Sequence, residues 1–105
     1  MEKTIEERVR HLLTLEEDWD GYGASKIERN TILKAVENIP LIKRKILEIA
    51  KFRLEQEPAI NPCPDGSLDL EWRTTDYHIL ANIPAGSGIP DYSATIKNKK
   101  YSGTF

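Results

Sequence analysis

Pro64-Asp65-Gly66-Ser67-Leu68-Asp69-Leu70-Glu71-Trp72 carries both a turn signal and a strand signal, and together they set the sheet of this chain. Proline suits the second position of a type I turn, aspartate the third, and glycine the left-handed position that follows, so Pro64-Asp65-Gly66 reads as a three-residue hairpin loop. Beyond it apolar and charged residues alternate. Leu68, Leu70 and Trp72 point to one face of a strand, and Asp69, Glu71 and Arg73 to the other. The loop fixes a register with Pro62 opposite Leu68 and Ile60 opposite Leu70. A second turn at Thr75-Asp76 sets Trp72 against Ile79, Leu70 against Ala81 and Leu68 against Ile83. An odd shift of either pairing would set apolar groups against charged ones.

Downstream of this hairpin, Pro84 to Asp91 reads as a loop, Tyr92-Ser93-Ala94-Thr95-Ile96 as a fourth strand, Lys97 to Lys100 as a turn, and Tyr101 to Phe105 as a last edge strand. Upstream of Pro58 the period becomes helical. Thr4-Ile5-Glu6-Glu7 has capping-box spacing and is followed by the stripe Ile5, Val9, Leu12, Leu13, which predicts a helix from Ile5 to about Leu15. Ser25-Lys26-Ile27-Glu28 repeats the capping-box spacing and predicts a second helix from Lys26 or Ile27. Pro40 should kink it. Yet Ile32, Val36, Ile39, Ile42, Ile46, Ile49 and Ala50 keep one phase across the proline, so the expectation is one kinked helix, or two nearly collinear ones, reaching about Arg53. The fold expected is α+β in one domain: two helical segments on one face of a four- or five-stranded antiparallel meander.

With 105 residues, 39% of them hydrophobic, the chain can close one modest core. No apolar run approaches the roughly 20 residues that span a bilayer. No secretory signal pattern is visible, and the one cysteine, Cys63, cannot form an internal disulfide, so a cytoplasmic setting without membrane contact is expected. The net charge of −2 gives no general attraction to nucleic acid. Its distribution is uneven: −4 over residues 1–25, +5 over 26–53 and −3 over 54–105. Lys43, Arg44, Lys45 and Lys51 make the second helix the one basic surface, set against the default of a solvated helix face.

Trp19-Asp20-Gly21-Tyr22-Gly23-Ala24 and Pro64 to Trp72 together carry a resemblance. The chain resembles small prokaryotic proteins that read W-D-G-x-G-A, then a helix, then P-D-G-x-[IL]-x-L-E-W, often closing on a tyrosine-bearing strand and a Gly-Thr-Phe-like end, here Tyr92 and Gly103-Thr104-Phe105. It departs from that pattern between Pro40 and Glu57, where its helical stretch is longer. The resemblance implies a shared fold and two shared focal segments, and no reaction. For small prokaryotic proteins of this type, it suggests an accessory role in defence, counter-defence or a toxin–antitoxin pair.

The Trp19 to Ser25 loop is the leading candidate site. Two glycines let the backbone approach a ligand, Trp19 and Tyr22 offer rings for stacking, and Ser25 with the start of the second helix offers an anion site. The plainer alternative is that Trp19 plugs the core while Asp20-Gly21 turns the chain. The outward sheet face, with Cys63, Asp69, Glu71, Arg73, His78, Leu80 and Asn82, is the second candidate surface, open to solvent, to a partner or to a second copy in a homodimer. The expected activity is therefore non-enzymatic binding of a protein partner or small anionic ligand through Trp19, Asp20, Tyr22 and Ser25, with Glu71 and Arg73 on the hairpin beside them. One alternative is a metal-dependent phosphodiesterase or nuclease using Asp20, Asp69 and Glu71. Another is a nucleic-acid binder through the basic helix 43–53, ending at Arg53. Cys63 with His11 or His78 has no spacing that argues for a catalytic pair or zinc, and nothing in the residue pattern implies a cofactor.

Overall fold

The computed structural model describes residues 4–105. Helix α1 (Ile5–Leu13) and helix α2 (Arg29–Ala50) precede five strands, β1 (Ala59–Pro62), β2 (Leu68–Arg73), β3 (Tyr77–Ile83), β4 (Asp91–Ile96) and β5 (Lys99–Thr104). The strands pair antiparallel in sequence order, so the sheet is the expected meander with both helices on one face.

The hairpin register is the one the alternation demands: Ile60 lies opposite Leu70, Pro62 opposite Leu68, Trp72 opposite Ile79 and Leu68 opposite Ile83. Gly66, at φ +90°, donates its N–H to the Cys63 carbonyl (3.0 Å), closing a type I turn with a left-handed glycine after it. The last turn is tighter than expected. Lys97 and Asn98 alone make it, both at positive φ, so β5 begins at Lys99 rather than Tyr101.

α1 starts at Ile5 with Thr4 as its cap, as expected, but Glu7 returns to the Thr4 hydroxyl. The Thr4 hydroxyl accepts the Glu7 N–H (3.1 Å), and the Glu7 carboxylate meets that hydroxyl (3.3 Å). The helix stops at Leu13, two residues short of the predicted end.

α2 departs from expectation at both ends. It begins at Arg29 after Glu28, which makes no side-chain cap, so the Ser25 capping box is not used. The cause is tertiary: Ala24 (1% exposed) and Ile27 (2%) must both reach the core, which draws residues 23–28 out as irregular chain. At the other end the helix stops at Ala50, with Lys51 in the left-handed conformation, so Arg53 lies outside it. Between those ends α2 runs unbroken through Pro40, whose side chain is exposed. On the solvent side of a helix, the missing N–H and the ring are accommodated by a bend that is convex to solvent and wraps the helix around the core.

Of the predicted stripe, Ile32, Ile39, Ile42 and Ile46 are buried and, joined by Ala35, share one core cluster with Leu68, Leu70, Trp72, Ile79 and Ile83; Ile49 and Ala50 pack against it half-buried, and Val36 lies outside it. Among the described residues, no helix is long and apolar enough to cross a membrane.

Candidate functional site

The loop between the helices is built from its own acids. Each backbone N–H from Gly21 to Lys26 has an acceptor within the protein. Gly21 donates to the Asp18 carbonyl (3.0 Å), and Gly23 to the Asp18 carboxylate. Tyr22 (2.8 Å) and Ala24 (3.1 Å) both donate to Oδ1 of Asp20. Ser25 donates to the Pro64 carbonyl (2.8 Å), and Lys26 to the Glu17 carboxylate (3.1 Å). Consecutive N–H groups turned to one side form a concavity that attracts anions. Here Glu17, Asp18 and Asp20 fill that role, and the anion site expected at Ser25 and the start of α2 is not present in that form. Gly23, at φ +85°, sits where a side chain would be strained.

Trp19 is half-buried and lies outside the core cluster, so it is neither free for stacking nor the core plug of the plainer reading. Its indole Nε1 donates to the Ser25 carbonyl (2.9 Å), tying the two ends of the loop together. Tyr22, by contrast, is 92% exposed.

The two focal segments meet. Besides the Ser25–Pro64 hydrogen bond, a Cβ on Gly66 would lie 3.7 Å from the Cβ atoms of both Ser25 and Ala85. The helix–helix loop, the β1–β2 tip and the β3–β4 loop therefore share one end of the molecule. The last is held down by Lys34 of α2, whose Nζ donates to the carbonyls of Gly88 (2.8 Å) and Gly86 (3.3 Å), while Ile89 remains 72% exposed. At the tip, Ser67 donates from both N (2.9 Å) and Oγ (2.6 Å) to Asp65, holding that carboxyl below its ordinary 3.8. Burial raises the Cys63 thiol above its usual 9.0, reinforced by the nearby Asp69 and Asp65 charges, which leaves a thiol rather than a thiolate at neutral pH.

Glu71 and Arg73 do not belong to this end. β2 leads away from the tip at about 3.3 Å per residue, which carries Arg73 about 20 Å from Ser67. They sit on the open face of the sheet. Register groups that face into three rows across the strands: Asn61, Asp69, Asn82, Asp91 and Thr104; then Ala59, Glu71, Leu80, Ser93 and Ser102; then Arg73, His78, Thr95 and Lys100. Asn82 Nδ2 donates to Asp69 (2.9 Å) and Ser67 Oγ (3.1 Å). His78 Nε2 lies 2.7 Å from the Glu71 carboxylate, which Arg73 approaches at 3.9 Å. Small side chains on β4 and β5 leave a shallow trough of about 470 Å³ beside Leu80.

The three carboxylates of the metal alternative are engaged separately: Asp20 in its loop, Asp69 with Asn82, and Glu71 with His78. Among the described residues, no group of three or more His, Cys, Asp or Glu side chains is placed to hold a metal ion. The basic residues of α2 are also dispersed. Lys43, Arg44 and Lys45 are consecutive and fan around the helix at about 100° steps. Lys43 is paired with Glu57 at 3.0 Å, Arg44 and Lys51 are exposed, and Arg53 follows the helix.

Both focal segments stand out in the sequence, but their contact and the acids' role as acceptors do not. The latter had a signal: aspartates preceding glycines favour side-chain bonds to the N–H two residues on, which is what Asp20 makes with Tyr22. No protein-family model matches the chain, and neither a curated protein nor a solved structure is detectably similar to it.

Proposed function

We propose that this chain is a protein-binding module whose contact surface is the three-loop end, with Tyr22 as its anchor. One observation carries the reading: Tyr22 is 92% exposed on a loop whose neighbouring amides are all internally bonded. A large amphipathic ring held out on a pre-ordered backbone gives contact area at low entropic cost, which is why tyrosine is enriched among binding anchors. Ile89, exposed on the β3–β4 loop at the same end, extends the apolar contact. Glu16, Glu17, Asp18, Asp20 and Asp65 lie on these loops against one nearby cation, Lys26, paired with Glu16 at 3.8 Å, which favours a partner surface carrying lysine or arginine around an apolar pocket. A protein partner also fits the accessory role in defence, counter-defence or a toxin–antitoxin pair that the family resemblance suggests. A small anion is disfavoured, since the loop's own carboxylates already occupy its amides.

The test is site-specific photo-crosslinking in cells of the native host, with a benzophenone amino acid replacing Tyr22 and, as control, Leu41 on α2, which is 43% exposed. The expected result is one discrete protein adduct from position 22, absent from position 41 and suppressed by excess unmodified protein but not by Y22A. No adduct at 22, or equal adducts at both positions, would refute the reading. Y22A itself should stay within about 0.5 kcal/mol of the parent in denaturant unfolding, because an exposed ring contributes little to folding.

A further inference from the structure

We infer that the open face of the sheet binds a second copy of this chain, face to face, about a two-fold axis running across the strands through Leu80. The observation is the segregation of charge along the strands. The row nearest the β1–β2 tip carries Asp69 and Asp91 and no cation, whereas the far row carries Arg73, His78 and Lys100 and no carboxylate. Leu80, the one large apolar side chain on this face, lies in the middle row.

A two-fold axis across the strands reverses strand direction while turning one face onto the other. Each acidic row then meets the basic row of the second copy, with Asp69 facing Arg73, Asp91 facing the Thr95–Lys100 end, and Leu80 meeting its own copy. An axis along the strands would instead set Asp69 against Asp91 and leave the basic rows opposed, so the charges select the first arrangement. Glu71 comes near its own copy at the axis, but His78 (2.7 Å) and Arg73 (3.9 Å) already stand beside its carboxylate within its own chain.

Strand spacing of about 4.8 Å and rise of about 3.3 Å give a projected footprint near 400 Å², at the small end of specific interfaces. The dimer is therefore a weak one whose contacts are largely electrostatic. It leaves the three-loop end free, so it stands or falls independently of the proposed partner site.

Sedimentation velocity from about 10 μM to 1 mM, covering the weak affinities such footprints give, reads the association of the full chain. The parent should dimerise, less so at high salt. D69R and R73E should each weaken association at least about tenfold, since each sets like charges face to face at two symmetric contacts. Mixed, the two variants should re-associate to within about threefold of the parent, because every contact between them is again opposite in charge. The pair D91K and K100E, at exposed positions, repeats the test should D69R not fold. A parent that is monomeric at the highest concentration would overturn the inference and leave the face to solvent or another protein. Single variants that dimerise like the parent, or a mixture that stays monomeric, would overturn the arrangement.

Discussion

Trp19 and Trp72 do the same thing chemically and opposite things structurally. Each indole N–H caps one backbone carbonyl, Ser25 for Trp19 (2.9 Å) and Gln56 for Trp72 (2.8 Å). Trp72, 2% exposed on the core face of β2, ties the segment after α2 to the centre of the sheet. Trp19, half-buried outside the core, ties a surface loop to itself. One tryptophan holds the fold, and the other holds a shape that the fold does not require. A tryptophan, two aspartates and two glycines set that loop's conformation, and the proposed partner surface relies on it.

The largest break in this comparison comes from truncating both rings. W72A should lose about 3–5 kcal/mol in denaturant unfolding, from the buried void and the orphaned Gln56 carbonyl. W19A should lose about 1–2 kcal/mol, because only a half-buried contact and one hydrogen bond go. Equal losses would mean that Trp19 is a core residue after all.

Next in size is D20A, expected to destabilise by about 1–2 kcal/mol, since two amides lose their acceptor together. D20N keeps an acceptor oxygen and should recover at least half of that difference. A D20A variant as stable as the parent would show that the loop does not depend on its internal carboxylates.

The smallest expected effect lies at the tip. Asp65 titrates below its ordinary 3.8 when folded, because Ser67 donates to its ionised form. A depressed carboxylate contributes stability above the unfolded value and loses it as pH falls through the folded value. Below about pH 4, then, the parent should lose stability that D65N does not, measured as the difference between their melting curves across pH. Parallel curves would remove the Asp65–Ser67 contribution.

The sheet was legible in the sequence because its cause is local and periodic. Pro64-Asp65-Gly66 sets the turn, and strict alternation in Leu68 to Arg73 and Tyr77 to Ile83 leaves one workable register. The start of α2 was not legible for the opposite reason. Ser25-Lys26-Ile27-Glu28 has capping-box spacing, but burial of Ala24 and Ile27 and the bond from Ser25 to Pro64 outweigh a local signal worth about 1 kcal/mol. The candidate site was legible in part. Its segments announce themselves by glycine and tryptophan, whereas the contact between them spans 39 residues and depends on the packing of the whole domain.

The proposed contact surface requires the Trp19–Ser25 loop to be ordered before any partner arrives. Residue-resolved amide hydrogen exchange of the free protein measures this directly. The prediction is exchange at Tyr22, Gly23, Ala24 and Ser25 slowed by about 100-fold or more relative to an unstructured chain, with D20A releasing Tyr22 and Ala24 first. Exchange at unstructured rates across those four amides, with the strands still protected, would contradict it.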